Sequence, residues 1–210
     1  MALRRIAFVL FATVTAAVSQ AVILIPDTWV DLPGTAGPGG TVIEDDVVGF
    51  AFSAYGGTVS GSVQNRVIRQ GDGTLAFAWR VFNDANSAGV IQDFRLGNFL
   101  LPVYDSDWSN TGLGDLGPRR AFLFLGNGGF VNYNFADPTG APGLGAGLSS
   151  KFIFILTDAT AYDRSALYDL SNVGQTENSD IFSTFAPVPE PASIAVLGLG
   201  AAALLRRRRR

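Results

Sequence analysis

The chain has 210 residues, with 15 Lys+Arg against 18 Asp+Glu, no histidine and no cysteine. That composition removes disulfide bracing, thiolate chemistry, the commonest metal ligand and the central member of a Ser-His-Asp triad, and Lys151 is the only lysine left to activate a nucleophile. Setting aside Arg4, Arg5, Arg206 to Arg210 and Glu190, all near the two ends, leaves 8 basic against 17 acidic residues, a net of −9, which disfavours nucleic acid as a partner because phosphate recognition is led by Lys and Arg.

The elements begin with an export signal. Met1-Ala2-Leu3-Arg4-Arg5 is a cationic start, residues 6–18 are apolar, and Ser19-Gln20-Ala21 places small residues at the −3 and −1 positions of a cut after Ala21, with Ser19 as the alternative. Residues 1–21 therefore read as a signal peptide; the competing reading, a retained membrane helix, needs a longer apolar run. Residues 22–46 read as a Gly/Pro-rich linker or edge segment, since Pro26, Pro33, Gly34, Gly37, Pro38, Gly39 and Gly40 leave little room for a regular element. Glu44-Asp45-Asp46 closes it as a solvated acidic turn.

From residue 47 the pattern is strands and turns. Residues 47–54 put Val48, Phe50 and Phe52 on one face, and residues 58–69 alternate Val59, Gly61 and Val63 with polar positions. Gln70-Gly71-Asp72-Gly73 is hairpin chemistry. Residues 74–83 form the clearest strand, with Leu75, Phe77, Trp79 and Val81 facing one way. Further strands are expected over residues 90–99, 101–104, 120–125, 129–135, 151–157 and 180–185, while residues 161–170 are ambiguous between strand and a short helical turn. The expectation is an all-β ectodomain over residues 47–186, an antiparallel β-sandwich or jelly-roll-like barrel, flanked by the N-terminal signal helix and a C-terminal transmembrane helix.

Two candidate sites lie in what reads as a polar loop, Asp105-Ser106-Asp107-Trp108-Ser109-Asn110. Asp105 and Asp107 place carboxylates at alternate positions, as a calcium turn does, although Asn110 and Leu116 stand where an EF-hand loop has Gly and Glu. Calcium is the only cofactor this sequence raises. Trp108 beside them is the candidate for stacking on a sugar ring, while Trp79 belongs to the core by its alternation. No pair of carboxylates carries a glycosidase motif, and the domain is read as a non-enzyme.

The last segment, residues 187–210, has three parts. Pro189-Glu190-Pro191 is an extended stretch short of backbone donors. Residues 192–205 are small and apolar on every face and span roughly 21 Å as a helix, short of a hydrocarbon core of about 30 Å. Arg206, Arg207, Arg208, Arg209 and Arg210 then form a cationic stop, which belongs on the cytoplasmic side and leaves everything before Pro189 outside. An ordinary tail anchor has the last two parts but not the first.

This tail resembles the PEP-CTERM sorting signal, with Pro189, Glu190 and Pro191 as its motif. The resemblance implies recognition by exosortase, an integral-membrane cysteine protease of bacteria that usually also make exopolysaccharide. It implies membrane anchoring, a cut near the motif and delivery to the cell surface or extracellular matrix. The pieces Gly61-Ser62-Val63, residues 73–83, residues 148–152 and residues 157–162 are similar to the β-rich ectodomains often found ahead of this signal. The functional expectation is an exported structural or adhesive component of the envelope or matrix, with exosortase, the bacterial membrane and exopolysaccharide as partners. The alternative is a carbohydrate-binding module assisted by calcium. Replacing Glu190 with Ala, or deleting Arg206 to Arg210, is expected to leave the protein unprocessed or mis-sorted; intact-mass measurement of the C-terminus in surface and matrix fractions checks this, and unchanged processing in both variants rejects the sorting assignment.

Overall fold

A computed structural model describes residues 21–99, 101, 103–125, 129–136, 140 and 142–188. The expected signal peptide and the tail from Pro189 onward, with its apolar helix, lie outside the described residues. Among the described residues no helix is long and apolar enough to cross a membrane.

Among the described residues, twelve strands form two six-stranded antiparallel sheets. In chain order they are β1 (Val22–Ile23), β2 (Trp29–Asp31), β3 (Thr41–Ala54), β4 (Gly57–Arg69), β5 (Leu75–Asn83), β6 (Asp93–Gly97), β7 (Asp105–Trp108), β8 (Arg120–Phe124), β9 (Phe130–Asn134), β10 (Ile153–Leu156), β11 (Tyr162–Ser171) and β12 (Phe182–Pro187). Sheet A runs β1-β7-β10-β5-β4-β3 and sheet B runs β12-β11-β6-β9-β8-β2. The all-β expectation holds, and the two sheets enclose one core in the manner of a sandwich.

The alternation that marked β5 decides the middle of sheet A. Leu75, Phe77, Trp79 and Val81 all point into the core, joined by Val59, Val63 and Val67 of β4 and Phe50 and Phe52 of β3. Sheet B answers with Phe94 and Leu96 of β6, Val131 and Tyr133 of β9, and Tyr168 and Leu170 of β11. Aromatic rings interlock at the centre: Trp79 meets Phe99 edge-on at 5.6 Å and Phe94 at 6.0 Å, and Phe94 meets Tyr168 at 5.5 Å. Such pairs contribute about 0.5–1.5 kcal/mol each beyond the area they bury.

Two local expectations are corrected, one open choice is resolved, and the edge-segment reading of residues 22–46 is made specific. The segment 22–46 holds two edge strands and the start of a third: β1 closes one edge of sheet A, β2 closes one edge of sheet B, and β3 starts at Thr41. The prolines and glycines lie between these strands and not within them. Glu44, Asp45 and Asp46 lie within β3 and are held there. Glu44 accepts from the Tyr162 hydroxyl at 2.8 Å, Asp45 pairs with Arg66 at 2.9 Å, and Asp46 pairs with Arg164. The ambiguous residues 161–170 are strand from Tyr162 onward, in β11. The strand expected at residues 101–104 falls instead at β7, so Asp105 to Trp108 is not a loop.

A polar relay crosses the core. The Trp79 indole N–H donates to the Thr184 hydroxyl of β12 at 2.8 Å, and Thr184 donates onward to the Asn65 amide oxygen of β4 at 2.9 Å. All three residues are buried. Thr184→Val keeps the shape and strips both partners of their bond, so unfolding free energy is expected to fall by about 1–3 kcal/mol, with Thr184→Ser retaining most of it; urea denaturation of the two variants checks this.

Candidate functional site

The predicted site residues come first. Asp105 and Asp107 stand on the outward side of sheet A, beside Leu156 and Phe154 of β10, because β7 lies between β1 and β10. Asp107 is fully buried; its Oδ1 accepts from the backbone N–H groups of Gly34 at 3.0 Å and Trp108 at 2.8 Å. Its Oδ2, and Oδ1 of Asp105, have no partner. Burial pushes the Asp107 carboxyl above its ordinary value; the two accepted bonds oppose this, and the neighbouring Asp105 adds to it. Burial alone raises Asp105. Among the described residues no group of three or more acidic side chains converges there, and two carboxylates alone fall short of the about six to eight oxygens that calcium takes.

Trp108 faces the other way. Its ring packs over Gly34 and Gly117, where an added Cβ would sit 2.3 Å and 2.5 Å from the ring. Its indole N–H donates to the Leu32 carbonyl at 3.1 Å, and Lys151 lies 5.7 Å from the ring centre. Those contacts make Trp108 a packing residue that ties the segment after β2 to β7. The sequence placed it in a loop, and its strand position is the reason it turns inward.

The exposed aromatic surface lies on sheet B. β8 reads Arg120-Ala121-Phe122-Leu123-Phe124; Ala121 and Leu123 are in the core, so Phe122 and Phe124 must point outward. Cross-strand register sets Trp29 beside Phe122, Phe124 beside Phe130, Asn132 beside Arg95, and Arg95 beside Asp169. One row across five strands is thus Trp29, Phe122, Asn132, Arg95 and Asp169. The next row is Phe124, Phe130, Gly97 and Leu167.

The rings form a continuous ribbon. Trp29 meets Phe122 edge-on at 5.2 Å, Phe122 meets Phe124 at 4.2 Å, and Phe124 stacks on Phe130 at 4.2 Å with planes 17° apart. Trp29 is 39% exposed. The Arg120 guanidinium lies 4.0 Å from the Trp29 ring centre, an attraction of about 0.5–1 kcal/mol at an exposed site. Polar groups sit next to this apolar strip. Arg95 and Asp169 make two parallel bonds of 2.6 Å, and the nearly buried Asn132 keeps an amide oxygen without a partner.

Between Phe130 and Leu167 the sheet carries Gly97, and the missing side chain opens a cleft of about 340 Å³ walled by Arg95, Phe130, Leu167, Asp169 and Ile181. Sequence reasoning missed this face because it sought a loop tryptophan. The available signal was β8 itself, apolar on both alternating sides, where the outer face of an antiparallel sandwich is ordinarily polar.

At the C-terminus, residues 187–210 match the PEP-CTERM protein-sorting motif. The chain therefore carries that signal, which implies export and processing by an exosortase-type enzyme at the membrane. Neither a curated protein nor a solved structure matches the chain.

The buried carboxylate pair generates a pH prediction. A folded-state value raised above the ordinary 3.8 means stability that is fully present below that value and lost as pH rises through the folded value. Asp107→Asn keeps the oxygen that accepts from Gly34 and Trp108 and removes the charge. It is expected to be more stable than the parent at pH 7 and equal to it at about pH 3.5, as read by chemical denaturation at the two values.

Proposed function

We propose that this is an exported adhesive protein of the cell surface or extracellular matrix, a binding module and not an enzyme, which holds polysaccharide on the outer face of sheet B. The observation that carries this reading is the ribbon Trp29-Phe122-Phe124-Phe130, left outside a sandwich whose core is already filled by other aromatics. Leaving Trp29 exposed and Phe122, Phe124 and Phe130 half-buried on an outer face has a hydrophobic penalty that a bound partner removes. The flanking groups select the kind of partner. Rings beside Asn132, Arg95, Asp169 and Arg120 offer apolar contact and hydrogen bonding in alternation, as a sugar chain with C–H faces and hydroxyl edges requires.

Delivery agrees with this. A sorting signal that leads to the envelope supports a setting in which an open sheet face meets a long polysaccharide along its length. The tail helix retains the protein in the membrane, the protease reads Pro189, Glu190 and Pro191, and the domain remains outside as the working part. Arg206 to Arg210 act as the cytoplasmic stop. Self-assembly through the β3 edge of sheet A is disfavoured, because β3 carries Glu44, Asp45 and Asp46.

The test is co-sedimentation of the full-length protein with exopolysaccharide from the producing cells. Trp29→Ala combined with Phe122→Ala is expected to lower the bound fraction at least about tenfold, as loss of stacking of about 1.4 kcal/mol or more requires, with the thermal midpoint little changed. Undiminished binding in that double variant rejects the sheet B face as the adhesive surface.

A further inference from the structure

Resting on the polysaccharide reading, we infer that the cleft over Gly97 is the anchoring subsite of this face and takes a single neutral hexose ring, stacked on Phe130 and hydrogen-bonded to the Arg95–Asp169 pair.

The geometry follows from cross-strand neighbours. Phe130 has Phe124 on one side, stacked at 4.2 Å, and Gly97 on the other. Within the ribbon the Phe124 ring is flanked on both sides, by Phe122 and by Phe130, each at 4.2 Å. Phe130 is the end of the stack. Its far side borders Gly97, which contributes no atoms above the backbone, and Leu167 of β11 stands across the gap. One aromatic wall and one aliphatic wall, a backbone floor and a polar end make a slot suited to a flat ring with apolar faces and polar edges.

The polar end fixes the chemistry. Arg95 Nε and Nη2 donate to the two oxygens of Asp169, both at 2.6 Å. This arrangement is bidentate and pre-organised. It is neutral as a unit, yet it offers both functions a hydroxyl uses: the remaining Arg95 nitrogen donates, and the carboxylate lone pairs accept. An anionic sugar would meet Asp169 without an uncompensated cation, and a cationic amino sugar would meet Arg95. A neutral ring meets neither conflict. The slot then holds one residue of a chain while its neighbours run over Phe124, Phe122 and Trp29.

Gly97 is the control point. A Cβ built there meets only the Phe130 Cβ, at 3.9 Å, an ordinary contact, and Gly97 is not among the glycines with positive φ. Gly97→Val therefore fits the strand and fills the slot. Phe130→Leu keeps an apolar wall and removes the ring face, which guards against any folding defect in the first variant; thermal melts of both are expected to stay near that of the parent.

The experiment presents the full-length protein to an array of neutral hexose oligosaccharides and uronic-acid oligosaccharides, and follows each hit by titration calorimetry. Binding of neutral oligosaccharides that falls at least tenfold in both Gly97→Val and Phe130→Leu supports the assignment. Neutral binding unchanged in both overturns the slot while leaving adhesion by the ribbon standing. Binding to uronic-acid chains alone overturns the neutral-ring assignment. Binding to neither class overturns the polysaccharide reading itself.

Discussion

Everything in this sandwich is arranged around the need to satisfy one buried indole. Trp79 lies at the middle of sheet A with 1% of its surface exposed, and its N–H has no water to donate to. The partner comes from the opposite sheet, as the Thr184 hydroxyl, and Thr184 needs Asn65 of sheet A to take its own proton. A donor left alone at that depth costs about 1–3 kcal/mol. Hydrophobic packing tolerates sliding between sheets, whereas a relay of 2.8 and 2.9 Å contacts does not. A second link does the same one strand-pair away: the buried Ser106 hydroxyl bonds Tyr133 of sheet B and donates to the Phe154 carbonyl, both at 2.7 Å. Together these bonds set how sheet B lies over sheet A, and so which residues of sheet B are left to face outward.

The two outer faces meet their apolar content differently. Sheet A turns Ile68, Ala76, Ala78, Phe152 and Phe154 away from the main core. It then covers the large ring with charge: Arg66 lies 4.5 Å from the Phe152 ring centre and Arg80 5.9 Å from it, with Arg80 also 4.5 Å from Phe82. Sheet B has a comparable aromatic load and only Arg120 over it, at the Trp29 end. Of its other arginines, Arg95 is held by Asp169 and Arg164 by Asp46. The aromatic ribbon is therefore open for a reason visible in the pairing: the cation that could have covered it is engaged two strands away.

How much of this was legible depended on which side of a strand carried the information. β5 was readable because its core side is large and β4 pairs with it along its whole length, so alternation survived over nine residues. β7 was not, because four residues rich in Asp and Ser look like a loop when nothing local shows that β1 and β10 will flank them. The same blindness hid the role of Asp107, whose oxygens are turned by backbone N–H groups from 73 positions away and from its own successor. Trp108 was misplaced for a related reason. Its ring fits only because Gly34 and Gly117, distant in sequence, leave it space. The aromatic face of sheet B was written plainly in β8 and overlooked, since a strand apolar on both sides is ordinarily read as doubly buried. Whether a further layer covers the outer face, which is a property of the whole fold, decides otherwise.

The junction between domain and signal constrains how the two act together. β12 continues through Pro187, and Val188 still donates to the Ala161 carbonyl at 3.0 Å. The sorting-motif match begins at residue 187, so no linker separates the sandwich from its address. A cut within β12 would leave part of that strand on the tail, and one before Thr184 would carry off the partner of Trp79. Processing that keeps the whole strand therefore falls after Pro187, next to a folded sheet edge. Such a junction ties sorting to folding: a sandwich whose last strand is seated presents the motif just past its edge, and a chain that has failed to seat β12 presents a different substrate.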